Sequence, residues 1–416
     1  MLLVAMAVVW HVVAVLSPPR VAPPRDSAGR DFASYYYAAR VASEGGDPYD
    51  KDALELVAQR DGLREHVHPF FYPPPFLWLV SFAPLVDLLT GFQLWWFLNE
   101  ACLVAVCVVL ATWWRPLGEG VGVVIALLAA TMYGVAYSAE LGQANFPVLL
   151  AVVAGLSVER RWPVVAGVAI GLAAMWKMSP ALLVGWWLLR GRMPAAAAAI
   201  ATAIGASLLT LPLLGWSEQL GFYRTVLPGL QRGDYNGLQI QIGMFANHSV
   251  PNLLHQALPS GGNTLSPLAR GASTLFQLAL VGTLGWWFRV RTDDPVRVAA
   301  QASAVLVAAL LVPVYTYEHH LVFALPAMVL AVLAVMRGWV PRWWGAPIAV
   351  AVAVLVIDLP TLREFAQKVV TERARAPFFL LQELKFAALV TVGAVAVRIG
   401  ATALEDPSRP PPPRPA

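Results

Sequence analysis

The sequence predicts an all-α polytopic membrane protein, with about 12 spans plus an interfacial or re-entrant helix near 70–90. Three observations carry that prediction. Of the 416 residues 58% are hydrophobic and only 13% charged, against roughly 25% charged in soluble domains. Mean hydropathy is +0.62. Apolar runs recur along the whole chain, too many and too dispersed to be one cleaved leader. The net charge of +4 and the pI of 9.1 come from basic residues in short inter-helix loops. They orient helices in a bilayer and do not signal nucleic acid. The two cysteines, Cys102 and Cys107, lie on different faces of one apolar run, which argues against a disulfide framework or a metal site. The Ala, Val, Leu, Trp and Arg usage fits a GC-rich bacterial genome, and so a bacterial cytoplasmic (inner) membrane.

Taken in order, Met1–Leu16 is apolar and somewhat short for a span of about 20 residues; nothing charged precedes it, which leaves open a true start upstream of Met1. Residues 17–69 form a polar first external loop holding a helix that begins near Asp31, a Gly45–Asp50 turn and a short helix near Lys51–Gln59. Apolar stretches follow near 93–113, 119–138, 146–158, 163–176, 178–190, 194–215, 272–288, 298–315, 319–336, 345–360 and 384–400, with a long external loop at 217–270. Residues 1–400 read as one transmembrane domain, and 401–416 as a Pro-rich, disordered cytoplasmic tail. The arginines at 160/161, 190/192, 289/291/297 and 337/342 mark cytoplasmic loops. Both termini then lie inside, and 142–145, Lys177, 217–270 and 317–320 lie outside.

The unusual polar residues gather on that outer face: Asp31, Arg40, Tyr72, Gln143, Asn145, Lys177, Asn247, His248, His319 and His320. Charges at membrane depth are costly and mark function by default. A carboxylate at the surface can act as a general base. Lys177, between two apolar half-helices and followed by Pro180, suits an anionic phosphate; snorkelling to the interface is the alternative. His319 and His320 point to different helix faces, so they do not ligate one metal as an i, i+4 pair would. One of them facing a cavity could bind phosphate or take a proton, while the other caps the helix. Asn247-His248-Ser249 matches a glycosylation sequon, a short and common pattern. There is no Gly-rich phosphate loop, no zinc spacing and no Gly-x-Ser-x-Gly elbow.

In sequence order these elements are Asp31–Tyr36, Gly46–Tyr49, Tyr72–Pro74, Gly142–Asn145, Lys177–Pro180, Asn247–Ser249 and His319–His320. From about residue 20 to 330 the pattern resembles glycosyltransferase family 87, the polyprenyl-phosphate-sugar-dependent transferases of the GT-C superfamily. The resemblance implies a GT-C-type helix bundle that takes a sugar from a lipid-linked phosphate donor. Mannose is the expected sugar, with arabinofuranose for cell-wall polysaccharide as the alternative. The acceptor is an extracytoplasmic glycolipid or polysaccharide. The superfamily's loop acid falls on Asp31. Some members have paired acids there that hold a divalent metal; Phe32 follows Asp31 here, and no cofactor is expected. An inverting transfer needs a base, assigned to Asp31, and cations to hold the leaving phosphate, assigned to Lys177, His319, His320 and, more weakly, Arg40. Tyr35, Tyr36 and Tyr72 are candidates to stack on sugar, and Gln143, Asn145 and Asn247 to bind sugar or acceptor hydroxyls. A transporter or lipid flippase is the rival class, but no clear inverted repeat is present and the polar residues favour one face.

Overall fold

The computed structural model describes residues 2–15, 30–64, 66–238, 240–258, 264–289, 292–358, 360–364 and 383–401. The start of the loop expected at 17–69 and the Pro-rich tail after residue 401 lie outside these. Among the described residues the secondary structure is helical, apart from one isolated bridge between Tyr235 and Leu238.

Among the described residues, three helices are long and apolar enough to cross a bilayer: Leu88–Trp113, Glu318–Met336 and Leu384–Ala401. The count rises to five if each of two bent pairs is one span. Val121–Thr131 and Tyr133–Leu141 meet at 54°, and Met193–Leu209 meets Leu211–Arg232 at 105°. The first bend falls at Met132, whose backbone is extended at φ −70° and ψ 120°. Past the second, Gly215 at φ 79° and ψ 173° breaks the helix that Pro212 opens in its first turn. Several other apolar segments make helices of 10–17 residues, among them Asn145–Val158 and Pro163–Trp176. Fourteen residues rise only about 21 Å, short of the roughly 30 Å hydrocarbon core.

The expected helix near 70–90 is instead a single helical turn, Phe76–Leu79, a 3-10 turn, Ala83–Leu85, and the start of the long helix at Leu88. Pro73, Pro74, Pro75 and Pro84 break any longer run there. Asp87 caps the long helix by accepting from the N–H groups of Leu89 and Thr90. The long loop expected at 217–270 is partly helical, with Leu227–Arg232 and Val250–Ala257 inside it.

Packing places the polar residues. Helices Pro163–Trp176 and Met193–Leu209 approach so closely that a Cβ on Gly167 would lie 2.3 Å from the Ala195 carbonyl oxygen, and one on Gly171 would lie 2.6 Å from that of Ala199. Small residues four apart allow this contact, and the first helix ends directly at Lys177. A second, aromatic core lies under the helix Arg30–Ser43: Phe32, Tyr35, Phe70, Tyr72, Phe76, Phe92 and Trp95 pack together. Phe32, Tyr35 and Trp95 are at most 1% exposed, so the helix carrying Asp31 rests on a rigid base.

Candidate active site

The helix Arg30–Ser43 presents Asp31 in its first turn, where the N-terminal end of the helix dipole favours a carboxylate. Gln143 Nε2 donates to Asp31 Oδ2 at 2.5 Å. His68 Nδ1 lies 3.5 Å from Asp31 Oδ1. Burial raises the Asp31 carboxyl, but the His68 bond, the His319 ring and the Gln143 bond together hold it below the ordinary value of 3.8. One fifth of its side chain remains exposed, so an incoming hydroxyl has access.

Gln143 is fixed in turn. Its Oε1 accepts from Tyr72 Oη at 3.2 Å and lies 3.3 Å from Tyr35 Oη, whose single proton goes to Tyr72 Oη at 2.7 Å. Burial pushes both phenols up, which keeps them protonated donors. Gly142 allows the turn: its φ is 66°, and a Cβ there would meet the Phe32 Cβ at 2.7 Å. The Gly142 carbonyl also accepts from Trp95 Nε1 at 2.7 Å.

Two residues past Gln143, Asn145 begins the next helix. Its Nδ2 donates to Ser138 Oγ at 3.0 Å and to the His319 carbonyl at 2.8 Å. Its Oδ1 accepts from Lys177 Nζ at 2.6 Å. Asp31 and Lys177 therefore stand at the two ends of one Gln143-Ala144-Asn145 segment.

The histidine pair has a defined hydrogen order. The Tyr317 backbone N–H donates to His320 Nδ1 at 3.1 Å, so that nitrogen is an acceptor. The proton of His320 is then on Nε2, which donates to His319 Nε2 at 3.0 Å. His319 consequently carries its proton on Nδ1, a buried atom with no hydrogen-bond partner in the structure. It is an unfilled donor.

A cavity of about 870 Å³ opens beside this arrangement. Lys177, Tyr72 and His320 line it, together with Leu182, Leu227, Leu310 and Phe323. It falls in the size range of ligand sites, with a mainly apolar wall and a few convergent polar groups. Among the described residues no group of three or more His, Cys, Asp or Glu is placed to hold a metal ion.

Other sequence candidates lie elsewhere. Tyr36 faces away from Asp31 and donates to the Val86 carbonyl at 2.8 Å. Arg40 pairs with Asp61 and lines a separate polar cleft with Tyr36, Tyr37 and Asp87. The Tyr35 and Tyr36 rings are each 1% exposed, so neither offers an open face. Asn247 is wholly buried. Its Nδ2 donates to the carbonyls of Ile242 and Val314, both at 3.0 Å, and its Oδ1 accepts from the Thr316 N–H at 2.9 Å. Every polar atom of that side chain is committed to backbone. His68 was not foreseen; its signal is its place between Glu65 and the Phe70–Pro75 run, in the same loop as Asp31.

A carboxylate and an ammonium joined by one polar turn, beside an apolar cavity in a helical membrane protein, fit a membrane-embedded group-transfer enzyme. The family model of glycosyltransferase family 87 matches residues 70–313, more than half of the chain, and the chain belongs to that family. Asp31 and the histidine pair fall on either side of the matched stretch. One curated relative is the polyprenol-phosphate-mannose-dependent alpha-(1-2)-phosphatidylinositol mannoside mannosyltransferase of Mycolicibacterium smegmatis (strain ATCC 700084 / mc(2)155). It is 28% identical over 271 residues, which cover 62% of this chain and 57% of the relative's length.

Proposed function

We propose that this protein transfers mannose from a polyprenyl-phosphate-linked donor to a hydroxyl of a lipid or glycan acceptor, with inversion at the anomeric carbon. The observation that carries the reading is the Asp31–Gln143–Asn145–Lys177 arrangement. It joins a carboxylate and a lysine amine through one short segment, which supports reading them as base and phosphate-holding cation. The acceptor hydroxyl attacks the anomeric carbon and gives its proton to Asp31. The bond from that carbon to the phosphate oxygen breaks, and its electron pair leaves with the polyprenyl phosphate. Lys177 and the His319 Nδ1–H, the one ring donor that the histidine pair leaves free, hold the leaving phosphate; preorganised donors at developing charge supply much of such a rate enhancement. The apolar cavity takes the first part of the prenyl chain, because Lys177 and His320 stand in its wall where the phosphate would join the chain. Tyr72 is the one candidate tyrosine whose ring reaches that cavity, and it is assigned to the sugar. Arg40, engaged with Asp61, is left out of phosphate binding.

Mannose is chosen over arabinofuranose because the curated relative's name specifies a mannose donor. The topology that goes with this reading has about 12 crossings, with the site on the extracytoplasmic face of the bacterial cytoplasmic membrane. Purified protein in nanodiscs, given radiolabelled polyprenyl-phosphate-mannose and a membrane lipid extract, should yield a labelled mannolipid on thin-layer separation. Product from the arabinose donor alone would change the sugar. Product from neither donor would defeat the reading.

A further inference from the structure

The histidine pair rests on buried charges that the transfer chemistry does not use. Glu318, the residue immediately before it, is 0% exposed, as are His248 and Lys385. Glu318 Oε1 lies 2.7 Å from His248 Nε2, and Oε2 accepts from Lys385 Nζ at 2.6 Å. Lys385 also donates to the Ile357 carbonyl at 2.7 Å, and its ammonium lies 5.8 Å from the centre of the Tyr133 ring. His248 is itself anchored, since its backbone N–H donates to the Thr316 carbonyl at 2.8 Å. Lys385 belongs to the helix Leu384–Ala401, which lies beyond the stretch matched to the family.

Stability alone does not account for this triad. Removing two opposite charges from water generally costs as much as their attraction returns, and apolar residues of similar volume often serve as well. Lys385 sits in an apolar helix, where such a replacement is at hand. What the pair does define is the position of one turn. The His319 carbonyl accepts from Asn145, and Asn145 accepts from Lys177. The connection therefore runs without a gap from Lys385 through Glu318, His319 and Asn145 to Lys177.

We infer that Glu318 and Lys385 are positioning residues that set the register of the His319–His320 turn, so that the His319 imidazole and Lys177 converge on one leaving phosphate. The inference rests on the transferase reading above. Misplacing reacting groups by about 1 Å costs on the order of 100-fold in rate. The loss should fall on kcat, because the phosphate contacts matter most once charge has developed.

The test uses the full chain in nanodiscs. The double variant Glu318→Gln/Lys385→Met removes the carboxylate and the ammonium together while its amide can still bond His248, and Lys385→Gln keeps a donor without the charge. For each, the thermal midpoint, kcat and KM for polyprenyl-phosphate-mannose, and affinities for polyprenyl phosphate and polyprenol are measured. The double variant is expected to melt near wild type, with kcat about 100-fold lower and KM within about twofold. Polyprenyl phosphate affinity should fall about tenfold, as for one lost charge-assisted hydrogen bond, while polyprenol binding stays constant. A folded variant of either kind with wild-type kcat and wild-type polyprenyl phosphate affinity overturns the inference. So does an equal loss of polyprenol affinity, which would report general loosening. If wild type binds polyprenyl phosphate but transfers no mannose, the transferase reading fails and the two binding measurements alone decide the positioning role.

Discussion

Asp31 combines two properties that conflict in most buried carboxylates: it is largely enclosed, yet it is held ionised. Enclosure strengthens its interaction with an acceptor hydroxyl, and the His68 and Gln143 contacts keep the negative charge in place. Positioned acid–base groups contribute typically about 10²–10⁴-fold. Asp31→Asn should therefore lower kcat by that order and leave KM for the donor near wild type, read from initial rates. The amide still bonds to Gln143, so the thermal midpoint should stay within a few degrees; a collapse in melting would make Asp31 a structural residue instead. The pH dependence has a fixed sign. The carboxyl titrates below 3.8 in the folded protein, so the base is present through neutral and mildly acid pH. Transfer should weaken only as pH falls through that lowered value. Stability follows the same direction: the contribution is full above the unfolded value and lost as pH falls through the folded one. An acid limb in kcat/KM centred above about pH 5 would assign the base to another group.

At the scale of elements, the turn at Gly142 joins the two halves of the site. Gly142→Ala would force a side chain into a left-handed backbone and against Phe32 and Phe92. The expected cost is about 1–3 kcal/mol, seen as a lower thermal midpoint. The remaining folded protein should also show reduced kcat, because Gln143 and Asn145 shift together. An unchanged kcat per folded molecule would separate the turn from the chemistry. The same elements show what a sequence can and cannot reveal. The helix opening at Asp31, the Gly142–Asn145 turn and the Lys177 break were all legible, because charge and turn residues stood out against apolar runs. The facing of side chains was not. Successive helical residues point about 100° apart, so Tyr35 reaches Gln143 while Tyr36 turns to Val86. Asn247 reads as a free amide in sequence, yet tertiary contacts saturate it. Helix lengths were not legible either. Hydropathy sees an apolar run, but Gly215 at φ 79° and the extended backbone at Met132 bend or shorten helices in ways that average apolarity does not record.

Across the whole molecule, the cavity lies along the seam between two cores. The aromatic core beneath Asp31 contributes Phe71, Tyr72 and Leu227 to its wall, and the larger apolar core contributes Leu182, Leu310 and Phe323. In the proposed transfer, the apolar wall and the polar segment make separate contributions. Lipid affinity would come from buried apolar surface, non-directional and additive with chain length, whereas rate would come from the polar segment. Each buried methylene contributes about 0.8 kcal/mol. Removing one fully seated isoprene unit, about five carbons, should thus raise KM by roughly several hundredfold with kcat little changed. Leu310→Trp should do the same to a long-chain donor by filling the cavity, while sparing a short, truncated one. The measurement is KM and kcat for a series of donors of graded prenyl length, run with wild type and Leu310→Trp. A KM independent of chain length would remove the prenyl chain from this cavity. A chain-length effect on kcat alone would mean that the lipid aligns the sugar–phosphate with Asp31, coupling the cavity to the carboxylate.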